Sequence, residues 1–277
     1  MRGIPSPLSY LVKRPQSKRT PVVVEIPHAG LVLDAQAMTW SVAPIRSIVR
    51  DADLFVDDLF ADCIEFGATC LVSTQTRYIC DLNRSESDID RMSVQGAKGD
   101  AAPHGLIWRR TSDGDAVLSS PLPQREFERR RDLFYRPYHE ALRLLLEEVR
   151  AEFGFVILLC AHSMPSRGKP GTPDAGKLRA DIVPGTRGRT TARNTVIDLP
   201  EQLAKRFGLS LRHDHPYRGG FTTGHYGRPA QGYHALQIEL SRALYMDEST
   251  LAPIERMTVT RSFCAELVLA LSKLELA

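Results

Sequence analysis

The chain has 277 residues, 43% apolar and 25% charged, an ordinary globular composition that excludes global disorder, collagen, coiled coil and a disulfide scaffold. With 36 basic and 33 acidic residues the net charge is +3, too balanced for a dedicated nucleic-acid binder. No apolar core of a secretory signal occurs in MRGIPSPLSYLVKRPQSKRT, and no run of about 18 apolar residues offers a membrane span, so the expected home is the cytoplasm.

In chain order, residues 1–20 read as an irregular, basic opening segment. PVVVEIP at 21–27 predicts a buried strand that stops at Pro27-His28-Ala29-Gly30. Residues 44–66 carry a helical pattern. ATCLVST (68–74) and RYICDL (77–82) predict two more strands. Residues 85–121 are polar and rich in Gly, Pro and Ser, the pattern of a functional loop or lid. Residues 124–153 predict the longest helix, kinked at Pro137. GFVILLC (154–160) predicts a central strand leading directly to His162. An Arg-rich loop at 166–190 surrounds a possible strand, ADIVP. A helix at 191–207, a Gly-rich loop at 217–233, a strand HALQIEL (234–240) and a C-terminal helix at 250–275 complete the chain. Strands alternating with helices predict an α/β fold with a largely parallel or mixed sheet. The five cysteines, Cys63, Cys70, Cys80, Cys160 and Cys264, form no CxxC pair and are expected to be reduced and buried.

In such sheets the chemistry gathers at the carboxyl ends of strands. Four apolar runs here lead into, or contain, a polar residue of catalytic type: His28, Asn83-Arg84, His162 and Glu239. In the helical stretch at 44–66, Ile45, Val49, Val56, Phe60, Cys63 and Ile64 form one apolar arc. Asp53 falls within that arc and Asp57 at its edge. An inward carboxylate is costly unless an arginine or a metal meets it. Two histidines and one such carboxylate, with a position left for water, form the ligand set of a catalytic zinc site, although other divalent ions suit the same donors. Glu239 would then move a proton between that water and a leaving nitrogen. Asn83 and Arg84 suit a bound carboxylate. In the Gly-rich segment, Arg218, His225 and Arg228 suit an anionic small-molecule substrate, and Arg77 or Arg84 an oxyanion. His139 on the long helix is expected to pack rather than act.

The ordered pieces IPHAG (26–30), DADLFVDDLF (51–60), TRYICDLNR (76–84), YRPYHEAL (135–142), AHSMPSR (161–167), ADIVPGT (180–186) and GGFTTGHYGRPAQGYHALQIEL (219–240) resemble the N-formylglutamate amidohydrolase family. The resemblance spans most of the chain and implies one catalytic domain over 1–277. It also implies a three-layer α/β/α sandwich with a mixed central sheet, similar to zinc carboxypeptidases. By the same resemblance His28, Asp57 and His162 hold the metal, with Asp53 as the alternative acid, and Glu239 is the catalytic glutamate. Asn83 and Arg84 match a pair that holds a substrate α-carboxylate. The implied reaction is hydrolysis of an N-formyl amino acid.

Three other classes compete. One is a carboxypeptidase-like enzyme or another N-acyl-amino-acid amidohydrolase. The second is a non-enzymatic anion binder that uses the Arg-rich loops. The third, a serine or cysteine hydrolase, is disfavoured because Ser163 lies in no GxSxG elbow and Cys160 sits in an apolar run. Neither a nucleic acid nor a membrane is expected as a partner.

Overall fold

The computed structural model describes residues 9–16, 18–100 and 102–276. Its frame is a six-stranded sheet ordered β1-β3-β2-β4-β6-β5. The strands are β1 (Tyr10–Lys13), β2 (Val22–Ile26), β3 (Thr69–Ser73), β4 (Val156–Met164), β5 (Ile182–Gly185) and β6 (Tyr233–Ser241). The inner strands β3, β2, β4 and β6 run parallel, and the edge strands β1 and β5 are antiparallel to their neighbours. VVVEI, TCLVS and VILLCAHSM are buried at every position, because a parallel strand covered by layers on both faces has no wet side.

The helices are α1 (Ala35–Met38), α2 (Ile45–Asp51), α3 (Val56–Leu59), α4 (Gln124–Arg130), α5 (Arg136–Phe153), α6 (Asn194–Ile197), α7 (Leu199–Phe207), α8 (Phe221–Tyr226) and α9 (Met257–Ser272). Alternate strand residues serve the two faces. Val24, Leu159 and Ile238 pack against α3, α7 and α9, whereas Val23, Leu158 and Ala235 pack against α5 and the irregular segment 78–122. The result is a three-layer α/β/α sandwich with a mixed sheet. From β2 the chain passes to β3 on one side and later to β4 on the other. The carboxyl ends of β2 and β4 therefore flank a crevice of the kind in which α/β sheets bind ligands.

The structure departs from the sequence expectations in several places, among them the split of the helix expected over 191–207 into α6 and α7 and the later start of the C-terminal helix, at Met257. The irregular opening segment contains β1, which adds Tyr10–Lys13 to β3; residues 1–8 and Ser17 lie outside the described residues. The helix expected over 44–66 is broken into α2, α3 and a 3-10 turn (Ala61–Ile64), because Ala52 is extended and Phe55 takes a left-handed backbone with φ 64°. RYICDL is not a strand. Its apolar residues are buried on all sides by α5 and the loop that follows, and its backbone turns where Ile79 N donates to Thr76 O at 3.0 Å. The segment 85–121 is irregular as expected, but Val94, Leu106, Ile107, Trp108 and Val117 are buried in the second core. The long helix is interrupted by a π turn at Arg131–Tyr135, immediately before Pro137, whose missing N–H cannot continue the ladder. The Gly-rich loop winds into α8.

Gly30 shows how tightly the end of β2 is seated. A Cβ added there would lie 2.3 Å from the carbonyl carbon of Thr74. Gly30→Ala is expected to cost about 1–3 kcal/mol, as overpacking against fixed backbone does, and urea unfolding measures it.

Candidate active site

His28 follows β2 by two residues, and His162 lies within β4, two residues before its end and paired with Glu239 of β6. Between them stands Asp53, in the extended link that separates α2 from α3. Its backbone N–H donates to His28 O at 2.9 Å, which pins that link to the end of β2. All three side chains are buried, and one donor atom from each lies within 4.8 Å of the others. Asp53 Oδ2 is 3.1 Å from His162 Nδ1 and 3.5 Å from His28 Nδ1.

Of the two aspartates expected, the structure brings the alternative, Asp53, to the histidines rather than Asp57. Asp57 sits half-buried on α3 beside Asp58, outside the donor group and outside the cleft, and Asp53 takes its place. The reason is the left-handed Phe55: a continuous helix would have carried both aspartates around one cylinder, whereas the break turns them toward different surroundings.

The far side of His28 is fixed by Asp81. Its Oδ1 lies 2.7 Å from His28 Nε2 and also accepts from Asn83 N at 2.9 Å. Its Oδ2 accepts from Arg77 Nη2 and Trp108 Nε1, each at 2.9 Å. Burial alone would raise the Asp81 pKa, but Arg77 and His28 outweigh it and hold the carboxyl well below its usual range. An ionised Asp81 requires the proton on His28 Nε2. His28 Nδ1, 3.5 Å from Asp53 Oδ2, is a buried nitrogen with no hydrogen-bond partner. Such an orphaned donor, backed by a carboxylate, fits a metal ligand. The donor set of two imidazoles and one carboxylate fits a divalent ion.

Arg242 holds Asp53 from behind. It donates to Arg50 O at 2.6 Å and to Ala52 O at 2.7 Å, and its Nη2 is 3.4 Å from Asp53 Oδ1. Burial would raise the Asp53 pKa, yet His162, hydrogen-bonded at 3.1 Å, and the neighbouring His28 imidazole pull it well below normal. Glu239 contrasts with it. It is the register partner of His162 on β6, and Gln237 Nε2 donates to its Oε1 at 2.8 Å. Burial dominates there and pushes the carboxyl up to about 7.

The Asn83-Arg84 turn is braced from α5 and from the π turn that precedes it. His139 Nε2 is 3.0 Å from Leu82 O, and Tyr135 Oη donates to Arg84 O at 2.8 Å. His139 is thus a packing histidine, with burial lowering its pKa to about 4. Asn83 Oδ1 accepts from Thr222 N at 3.0 Å, and its Nδ2 lies 3.2 Å from His162 Nε2. The Arg84 guanidinium lines the cleft with no ion pair among the described residues, and its Nε is buried without a partner.

The cleft above these groups has a volume of about 740 Å³. Of the sequence-predicted substrate residues, Asn83, Arg84, Arg77 and Arg218 line it. His225 and Arg228 do not: α8 turns His225 onto Phe221, with ring centroids 4.8 Å apart, and Arg228 lies over Tyr233 at 5.1 Å. Sequence reasoning missed Asp81, Gln237 and Arg242. Asp81 carried the same signal that exposed Asp53, an acid inside an apolar run, but the run was taken for a strand.

The chain matches the family model described as N-formylglutamate amidohydrolase over residues 20–246. It is 32% identical over 234 residues to N-formylglutamate deformylase of Pseudomonas putida, covering 83% of this chain and 84% of that protein. It is also 32% identical over 233 residues to the Pseudomonas aeruginosa deformylase, with 83% and 84% covered. The crystal structure of N-formylglutamate amidohydrolase from Ralstonia eutropha JMP134 matches with a TM-score of 0.87 at 29% identity, over 96% of this chain and 98% of that one. A gene product of Agrobacterium tumefaciens, Atu2144, shares the fold with a TM-score of 0.69 at 19% identity, over 95% of each chain. Fold, site and relatives together define an enzyme, a hydrolase of linear amide C–N bonds. The chain belongs to the N-formylglutamate amidohydrolase family.

The geometry separates the two aspartates experimentally. Asp53→Asn is expected to abolish stoichiometric binding of a divalent metal, and Asp57→Asn to retain it, as read by metal analysis of the purified variants.

Proposed function

We propose that this chain is a metal-dependent amidohydrolase that cleaves an N-formyl amino acid, such as N-formyl-L-glutamate, to the free amino acid and formate. The observation that carries the reading is the buried His28–Asp53–His162 donor group with an unpaired His28 Nδ1, next to Glu239. The printed names of the Pseudomonas relatives supply the substrate. Zinc is the metal proposed, on the donor types alone. A divalent ion bound there supplies Lewis-acid polarisation of the amide carbonyl and acidifies a water molecule.

The chain's own residues do the rest. Arg84, with its free guanidinium, and the Asn83 amide bind the substrate's α-carboxylate. Binding there orients the scissile amide toward the imidazoles. Glu239 accepts a proton from the attacking water and delivers it to the departing nitrogen. A carboxyl group pushed up to about 7 by burial is suited to exchange protons in both directions. Arg77, fixed by Asp81, supplies positive charge to the developing oxyanion. The enzyme functions on a small anionic molecule, with no role for nucleic acid. No helix among the described residues is long and apolar enough to cross a membrane, and a cytoplasmic location is proposed for a catabolic enzyme of this kind.

A cleft of about 740 Å³ also leaves room for an acyl group larger than formyl. A panel of formyl, acetyl and peptidyl glutamate tests that second reading.

Glu239→Gln is expected to retain metal and lower kcat for N-formyl-L-glutamate by about 100- to 10,000-fold, the usual worth of a positioned acid–base group. Retention of most of the wild-type rate in a metal-loaded E239Q enzyme would overturn the assigned role.

A further inference from the structure

The strip Arg218–Gly219–Gly220 forms one wall of the cleft and is clamped from three sides. Beneath it, Gly185 at the end of β5 packs so closely that an added Cβ would lie 2.6 Å from Gly219 N. Toward the site, Gly220 N donates to Gln237 Oε1 at 2.8 Å, and a Cβ on Gly220 would meet the Asn83 amide at 2.3 Å. On the outside stands Arg187, whose backbone N donates to Arg218 O at 2.7 Å and whose Nη1 donates to Gly219 O at 3.2 Å.

Arg187 is held in a built turn. Its backbone is left-handed, with φ 51°. The Asp214 carboxylate accepts from Thr186 N at 2.6 Å, Thr186 Oγ1 at 2.9 Å and Gly188 N at 2.8 Å. From this turn the Arg187 side chain lies flat on α8 over Gly224, where a Cβ would meet Cδ and Nε at 3.0 Å. Glycine weakens a helix relative to alanine, so Gly224 is costly to α8, but it leaves room for this guanidinium. Arg218 itself remains exposed at the cleft, with no salt bridge among the described residues.

We propose that Arg218 is a specificity-determining residue that takes a second carboxylate, the one on the side chain of an acidic N-acyl amino acid. Arg187, seated on Gly224, is its positioning residue, clamping Gly219 from the surface of α8. This rests on the proposed function, in which Asn83 and Arg84 hold the α-carboxylate. A cation without an acid of its own, on a wall fixed by close backbone contact, is a preorganised partner for that second charge.

The test compares N-formyl-L-glutamate with N-formyl-L-glutamine, which match in size and differ by one charge. The metal-loaded wild-type enzyme is expected to prefer the glutamate compound by at least about tenfold in kcat/KM, the range of one charge-assisted hydrogen bond. Arg218→Gln should shrink that preference to within about threefold. Arg187→Ala should erode it by roughly fivefold, through KM rather than kcat. Gly224→Leu, which displaces the guanidinium from the other side, should do the same. The double variant should lose no more than Arg187→Ala alone, since both changes break one contact. Metal content and thermal melting of each variant separate this from misfolding. The proposal falls if Arg218→Gln leaves the preference intact, or if the two second-site losses add. If the wild-type enzyme hydrolyses neither compound, the proposed substrate fails, and this inference with it.

Discussion

The backbone hydrogen bond from Asp53 N to His28 O, at 2.9 Å, closes the end of β2 onto the link between α2 and α3. It brings a carboxylate from one element against imidazoles from two others. Arg242 completes the closure by spanning Arg50 O, Ala52 O and the Asp53 carboxylate from the end of β6. Without that closure Asp53 would be a buried charge with nothing to meet it, a costly arrangement in an apolar interior.

The same corner of the fold divides its carboxylates by environment. Burial acts on Asp53, Asp81 and Glu239 in the same direction, raising each pKa. Asp53 and Asp81 are met by imidazole or guanidinium N–H groups and stay ionised. Asp53 faces the two imidazoles, and Asp81 anchors His28 and Arg77. Glu239 receives one amide hydrogen bond from Gln237 and is left close to balance between its two protonation states. One functional group, the carboxyl, is thus held ionised or near balance by the number of donors each copy meets. The π turn and α5 serve the same corner from the opposite layer, since Tyr135 and His139 fix the carbonyls on either side of Asn83.

Much of this was legible in the sequence. The runs VVVEI and VILLC announced buried parallel strands because they lack a polar alternation. His28, His162 and Glu239 announced a site because polar residues at the ends of such runs contradict the apolar pattern. What stayed hidden followed from local irregularity. Periodicity predicted one helix where Ala52 and Phe55 break it, and the preference for Asp57 over Asp53 came from the family resemblance rather than from that pattern. The burial of Tyr78, Ile79 and Cys80 looked like a strand, because a segment covered from every side and a central strand leave the same apolar signature. His225 and Arg228 looked like ligand contacts because composition carries no direction, and α8 directs them elsewhere.

The sequence by itself determined the sheet's core strands and marked two histidines at their ends, since hydrophobic runs and misplaced polar residues are local facts, and its ordered motifs carried the family. The tertiary structure decided which acid joins those histidines, which cations stay free and which glycines admit a neighbour. Those outcomes depend on distances between segments 190 or more residues apart along the chain, as between Arg242 and Ala52 or Arg50, and no local pattern encodes them.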